Sequence, residues 1–94
     1  MEKSTHTPEY ALLRSVLRQT RKEAGLSQRQ LALRLRVPHS WVAKVENGER
    51  RIDLLEFSRF VSSCGVDPIS VCSELLPRIV AKETKRNGKG GRSK

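Results

Sequence analysis

Apolar residues recur at helical spacing on either side of a short break in the middle of the chain. Between residues 27 and 47 the apolar positions are Leu31, Ala32, Leu35, Val37, Val42 and Val45. Because steps of about three or four residues dominate within each half, residues 27–36 and 38–47 each predict a short helix with one apolar face. Val37 precedes a proline, which disfavours the helical conformation, so a tight bend is expected between the two helices.

Two helix starts carry complete capping signals. Ser27 is followed three residues later by Gln30, and Asp53 is followed three residues later by Glu56. In such a pair the first side chain accepts from the amide of the third residue after it, whose own side chain reaches back to the first amide. The sequence therefore predicts that the second and fourth helices begin directly after Ser27 and Asp53.

The remaining apolar positions predict three more helices. Their expected bounds are Pro8 to about Ala24, Asp53 to Gly65, and Pro68 to Pro77. Pro77 should end or kink the last helix, with one further turn after it. The fourth helix carries the apolar residues Leu55, Phe57, Phe60 and Val61. Since no run alternates with a period of two, the prediction is an all-α domain of five helices over residues 9–81.

Both ends of the chain lack the apolar residues that a core requires. Residues 82–94, KETKRNGKGGRSK, contain no large apolar side chain and are rich in glycine and basic residues. Such a segment cannot bury enough surface to offset the entropy of ordering, so a flexible basic tail is expected. Residues 1–8 are likewise expected to be flexible.

The net charge of +9 is concentrated in two parts of the chain. Residues 78–94 carry seven basic residues and one acidic residue, and residues 10–51 carry ten basic and three acidic ones. A basic surface of this kind suits a polyanion, although charge alone does not separate DNA from RNA or an anionic lipid. The tail is then either a solubilising end or an arm that contacts phosphates.

The sequence offers no sign of a metal site, a membrane anchor or an enzyme. Cys64 and Cys72 lack the spacing of zinc ligands and are expected to be reduced, partly buried thiols. No stretch is long and apolar enough to cross a membrane, and the N-terminus does not resemble a signal peptide. We therefore expect a cytoplasmic protein, near the nucleoid if it is bacterial, that needs no cofactor and catalyses no reaction.

The segment GLSQRQLALRLRVPHSWVAKVENGERR, residues 25–51, resembles the Cro/cI-type (Xre) family of helix-turn-helix proteins. Arg21, four residues before it, and the step Gly65-Val-Asp-Pro68 fit the same pattern, and the resemblance extends from Tyr10 to Leu76. It departs at Pro38, where a side chain that can cap the third helix is usual. One hydrogen bond at that helix start is therefore expected to be absent.

The resemblance implies a compact five-helix domain whose third helix, residues 38–47, lies in the major groove of double-stranded DNA. The residues implied to face base edges are His39, Ser40, Ala43 and Lys44. The residues implied to lie near phosphates are Ser27, Gln28, Trp41, Asn47, Arg50 and Arg51. For Trp41 a packing role competes with an indole hydrogen bond to a phosphate. Arg21 and Glu46 are implied to form a structural ion pair.

These features predict a transcription regulator, most simply a repressor, that binds a pseudo-palindromic operator as a homodimer. Apolar residues of the fifth helix are expected either to form the dimer interface or to close the core. They are Val71, Leu75, Ile79 and Val80. The alternative function is that of an antitoxin or adaptor of the same fold, which would act mainly through a protein partner or RNA.

Overall fold

A computed structural model describes residues 4–86 of the chain, and these form five α-helices after one short 3-10 turn at Ser4–His6. The helices are α1 (Pro8–Glu23), α2 (Gln28–Leu35), α3 (His39–Asn47), α4 (Leu54–Ser63) and α5 (Pro68–Arg86). No strand occurs within residues 4–86. The predicted all-α, five-helix fold class is confirmed.

Side-chain caps set most of the helix starts. The Ser27 hydroxyl accepts from the Gln30 amide at 3.0 Å, and the Gln30 side chain accepts from the Ser27 amide at 2.8 Å. Asp53 and Glu56 form the same reciprocal pair at the start of α4. Both predicted capping boxes are therefore confirmed. An additional cap at Thr7, which accepts from the amide of Tyr10, begins α1.

The turn between α2 and α3 contains an unusual backbone conformation. Arg36 adopts the left-handed region, with φ of 60° and ψ of 46°, and is the only residue other than glycine with a positive φ in the described part of the chain. Pro38 stands at the N-cap of α3 and makes no side-chain capping bond, as its lack of a polar group predicts. The bend thus forms at the expected place.

The core lies between the five helices, where α1 packs against α3, α4 and α5. Its most deeply buried apolar side chains are Leu17, Leu31, Val42, Val45, Phe60 and Val61. The α2 and α3 helices make the most extensive contact, α1 packs on α3, α4 and α5, and α2 also packs on α4. On α4, Phe57, Phe60 and Val61 are buried, whereas Leu55 is 70% exposed. Only one side of α4 is covered by its neighbours.

Helix α5 is longer than the sequence predicted. It continues through Pro77 to Arg86, although Pro77 was expected to end or kink it. The proline removes the amide that would bond to the carbonyl of Ser73, but Ser73 is exposed and its carbonyl can bind water. Leu75 and Ile79 pack on the core on either side of Pro77 and hold both halves of the helix in place.

The two segments expected to be flexible lie partly within helical elements of the structure, and their flexibility stays a prediction. Residues 82–86 belong to α5, because Lys, Glu and Arg favour a helix and the first glycine comes only at residue 88. At the other end Thr5 lies in the 3-10 turn and is buried. The rest of the expected flexible segments, residues 1–3 and 87–94, lies outside the described residues.

The loop after α3 is fixed to α1 by Tyr10. The phenol oxygen of this buried tyrosine accepts a 2.9 Å hydrogen bond from the amide of Ile52, and the guanidinium of Arg51 lies 5.3 Å from the ring centre. Gly48 turns the chain out of α3 with φ of 80°. A Cβ atom at Gly48 would lie only 3.2 Å from Nε of Arg14.

Replacing Gly48 with alanine should destabilise the fold more than the same change at Gly25. Both glycines have a φ near +80°, which costs other residues about 1–2 kcal/mol. At Gly25 a Cβ atom would meet nothing within 4 Å, whereas at Gly48 it displaces Arg14 and its hydrogen bond to the end of α3. Urea unfolding should show a further loss of about 1 kcal/mol for Gly48→Ala. Equal losses would mean that the Arg14 contact contributes nothing.

Replacing Arg36 with glycine should stabilise the protein. Relief of the left-handed strain outweighs the greater flexibility of glycine in the unfolded chain, for a net gain of about 0.5–1 kcal/mol in the free energy of unfolding. Arg36→Ala is the matched control, because it removes the charge but keeps the Cβ atom. If alanine stabilises as much as glycine, strain is not the cause.

Candidate nucleic-acid interface

Helix α3 has one side buried against the core and one side exposed to solvent, which is called its open side below. Val42, Val45 and Glu46 are buried. The open side contains His39, Ser40, Lys44 and Asn47, which are exposed, and Ala43, which is partly exposed. Since Ser40, Lys44 and Asn47 are four and three residues apart, they share one helix face. A short helix therefore presents a polar face whose position is set by its buried side.

The carboxylate of Glu46 joins three helices. It is 1% exposed, and its two oxygens accept from Nε and Nη2 of Arg21 in α1 at 2.7 and 3.0 Å. Nε2 of Gln28 in α2 donates to it at 2.9 Å, and Nε of Arg18 lies 3.6 Å away. Glu46 with Arg18, Arg21 and Gln28 is called the Glu46 cluster below. Its geometry fixes α3 against both α1 and α2.

The electrostatics of this cluster favour the charged pair. Burial tends to raise the pKa of Glu46, but the hydrogen bonds from Arg21 and Gln28 and the nearby guanidinium charges hold it below its usual value. The hydrogen bonds to Glu46 raise the pKa of Arg21 despite its burial. A buried charge is costly unless it is paired and hydrogen-bonded. Here each charge has its partner, and Arg21 also donates to the carbonyl of Leu26 at 2.8 Å.

The two ends of α3 are held differently. At its C-terminal end Nη1 of Arg14 donates to the carbonyl of Glu46 at 3.2 Å, and the amide of Glu49 bonds back to the carbonyl of Lys44 at 2.8 Å. At its N-terminal end Pro38 supplies no side-chain cap. The first amides of an α-helix have no partner within the helix, so they can donate to an incoming anion.

The loop after α3 carries a second ion pair. Arg50 donates through both terminal nitrogens to the carboxylate of Glu56, at 3.0 and 2.9 Å, and its guanidinium lies 5.1 Å from the ring centre of Trp41. The hydrogen bond from Arg50 lowers the pKa of Glu56. Trp41 is half-buried against the core. Trp41 thus packs against the core, and its contact with a phosphate stays a prediction.

Neither a metal site nor a membrane span is found in residues 4–86. No three side chains among His, Cys, Asp and Glu come together there as a possible metal site. None of the helices there combines the length and apolar character that crossing a membrane requires. Cys64 is buried, which raises the pKa of its thiol, and Cys72 is partly buried.

Comparison with known proteins agrees with this geometry. The family model of a helix-turn-helix domain matches residues 12–71. A solved structure of an XRE-family like protein from Pseudomonas syringae pv. tomato str. DC3000 is 41% identical and superposes with a TM-score of 0.74. The alignment covers 81% of this chain and 93% of that one. The chain belongs to the Xre-type helix-turn-helix family. No curated protein sequence matches the Xre-type chain significantly.

Family membership makes this Xre-type chain a DNA-binding regulator and identifies α2 and α3 as the helix-turn-helix. The four residues predicted to face bases lie together on the outward side of α3. Of the six predicted phosphate contacts, Asn47 and Ser27 are exposed, and Gln28 is partly buried. The Ser27 hydroxyl already accepts from Gln30. Their contacts with DNA remain predictions.

Several of the predicted phosphate contacts, among them Gln28 and both arginines, have intramolecular partners that the sequence did not suggest. The charge of Arg50 is paired with Glu56, and Arg51 lies over Tyr10. Sequence reasoning had used Glu56 only as part of a cap. Arg50 and Glu56 are six residues apart, a spacing that indicates no contact by itself. They meet because the loop after α3 turns back toward the start of α4. Two arginines of α1 that the sequence analysis did not place at the site contact Glu46 of α3. Arg14 donates to its backbone carbonyl, and Arg18 lies beside its carboxylate.

Glu46→Gln should destabilise the Xre-type domain at neutral pH and much less in acid. The change leaves Arg21 with an unpaired buried charge, at a cost of about 3–5 kcal/mol. Because the folded-state pKa of Glu46 is lowered, its contribution is complete above about pH 4.3, the usual glutamate value. The contribution is lost as the pH falls through the lower folded-state value.

Urea unfolding at pH 7 and pH 3 measures this difference. Glu83→Gln, at an exposed position of α5, is the control and should change stability by less than about 0.5 kcal/mol at pH 7. If the free energy of unfolding differs between wild type and Glu46→Gln by the same amount at both pH values, the ionised Glu46 carboxylate does not stabilise the fold.

Proposed function

We propose that the protein regulates transcription by binding a specific double-stranded DNA sequence through α3, as a homodimer that represses the genes beside its operator. The observation that carries the proposal is the outward face of α3. It combines hydrogen-bonding side chains, one small apolar side chain and no acidic group, on a helix whose reverse side is fixed by the Glu46 cluster.

The exposed residues of α3 match the chemistry of base edges. The major groove admits one α-helix and presents a different donor and acceptor pattern for each base pair. Lys44 can donate to O6 or N7 of guanine, His39 and Ser40 can donate or accept, and Ala43 can contact a thymine methyl group. Each good contact is worth about 1–3 kcal/mol of discrimination. Four positions therefore specify only a short sequence.

Phosphate contacts would set the register of α3 in the groove. Gln28 can contribute such a contact. Because the Glu46 carboxylate can only accept, the bond between Gln28 and Glu46 uses one of the two N–H groups of the Gln28 side-chain amide. The second N–H of the same amide group remains to donate to a phosphate. Asn47 is exposed at the other end of the helix pair. Arg51 would add positive charge near the backbone while it lies over Tyr10, whereas the Arg50 charge is offset by Glu56 until a phosphate competes for it.

A short recognition sequence favours two copies of the domain on one operator. Two recognition helices about 34 Å apart would read successive major grooves on one side of the DNA. The operator would then be pseudo-palindromic, since a two-fold protein reads a two-fold sequence. A dimer bound at its operator would act most simply by excluding other proteins from the site, which is repression.

Replacing His39 and Lys44 together with alanine should abolish sequence preference and leave folding intact. Both side chains are exposed, so their removal costs little stability, while the base contacts would be lost. The measurement is selection of bound duplexes from a random pool, with circular dichroism to check folding.

The matched control is Arg78→Ala, which removes one exposed positive charge from α5. It should weaken binding slightly and leave the selected sequence unchanged. If the double variant selects the same sequence as wild type, α3 does not read DNA.

A further inference from the structure

Helix α2 exposes an apolar side chain between two arginines on the side away from the core. Leu31 and Ala32 are buried, whereas Leu33 is 73% exposed. Arg29 lies four residues before Leu33, so the two share one face of the helix. Arg36, the C-cap residue, follows Leu33 by three positions, and both arginines are exposed. Arg29, Leu33 and Arg36 are called the α2 face below.

The positive charge of the α2 face is unpaired within residues 4–86. Neither Arg29 nor Arg36 forms an ion pair or a side-chain hydrogen bond with another residue of this range. Between residues 24 and 45 the chain carries four basic residues and no acidic residue. The arginines that stabilise the fold, by contrast, lie beside carboxylates. Carboxylates for the α2 face must therefore come from another molecule.

The backbone of Arg36 is strained, although glycine at this position would remove the strain. Its φ of 60° is disfavoured for any residue with a Cβ atom, and glycine is the usual residue just beyond a helix end. No hydrogen bond or ion pair of the Arg36 side chain within residues 4–86 offsets the strain. Strained residues of this kind cluster at functional sites, where the side chain is needed for an outside contact.

The chemistry of the α2 face limits what can bind there. One exposed leucine by itself is common on protein surfaces. The two arginines distinguish this leucine, because a guanidinium can pair with both oxygens of a carboxylate. Apolar contact at the centre and paired charges around it are typical of protein interfaces, in which arginine is enriched. A phosphate backbone would satisfy the arginines but would leave Leu33 without an apolar partner. An acidic protein segment is therefore favoured over a nucleic acid.

We propose that the α2 face binds an acidic segment of a second protein. Carboxylates on the two sides of one large apolar side chain pair with Arg29 and Arg36, and that apolar side chain packs on Leu33. The residues predicted to face bases all lie on α3, so this contact does not depend on the proposed function. A contact centred on three side chains is small, and its dissociation constant is therefore in the micromolar range or above.

Selection of short random peptides displayed on phage, with the full chain as bait, tests the α2 face. We expect the enriched peptides to carry acidic residues on both sides of a leucine, isoleucine or phenylalanine. One enriched peptide is then synthesised with a fluorescent label, and its dissociation constant is measured by fluorescence anisotropy. Binding should weaken as the salt concentration rises, because exposed charge pairs are screened.

Single substitutions in the α2 face should weaken binding of the selected peptide. Leu33→Ala and Arg36→Ala should each raise its dissociation constant about 5- to 30-fold, the effect of a residue at the centre of an interface. Ile69→Ala is the matched control for leucine, because Ile69 is 74% exposed and lies on α5. Arg78→Ala, at an exposed position of the same helix, is the control for arginine. Both controls should bind as wild type does.

Arg36→Gly separates the peptide contact from the backbone strain. This variant should be more stable than wild type in urea, yet it should raise the dissociation constant as much as Arg36→Ala does. Both variants remove the guanidinium, whereas only glycine relieves the strain. An Arg36→Gly variant that binds the peptide as tightly as wild type would overturn the proposal.

The same measurements distinguish the other surfaces and ligands. Enrichment of peptides without acidic residues would overturn the proposed partner chemistry. Loss of binding in Lys44→Ala but not in Leu33→Ala would place the acidic peptide on α3 instead. If Arg29→Ala and Arg36→Ala weaken binding of a random-sequence duplex and Leu33→Ala leaves peptide binding unchanged, the α2 face contacts nucleic acid. Loss of base preference in the α3 variants bears only on the proposed function.

Discussion

The carboxylate of Glu46 is the group on which the arrangement of the helix-turn-helix depends. Its burial in α3 would be costly without partners, and those partners come from α1 and α2. The geometry that satisfies both of its oxygens therefore allows one placement of the three helices. Apolar packing between α2 and α3 stabilises the pair, but packing alone is tolerant of small rotations. The directional bonds of Glu46 narrow the rotation of α3 further than apolar packing does.

Features that depend on neighbouring residues were predictable from the sequence. The capping boxes at Ser27 and Asp53 use residues three positions apart, and they set the starts of α2 and α4 as expected. The bend at Val37 follows from the proline after it. The outward positions of α3 follow from helical spacing once its apolar residues are assigned to the core. The resemblance to the Xre-type family added the pairing of Arg21 with Glu46.

Features that depend on distant contacts were not predictable in this way. The bond between Tyr10 and Ile52 spans 42 positions, and no local pattern announces it. The length of α5 depends on Leu75 and Ile79, which hold it to the core across Pro77. These tertiary contacts override what Pro77 alone would predict.

We propose that the Glu46 cluster holds α3 so that its outward face reads base edges. A crystal structure of the protein on a duplex taken from the random selection tests this role most directly. We expect α3 within the major groove, the Lys44 ammonium within hydrogen-bond distance of a base edge, and the bonds from Arg21 and Gln28 to Glu46 unchanged. A complex in which α3 faces away from the DNA, or in which these bonds are broken to admit it, would contradict this role.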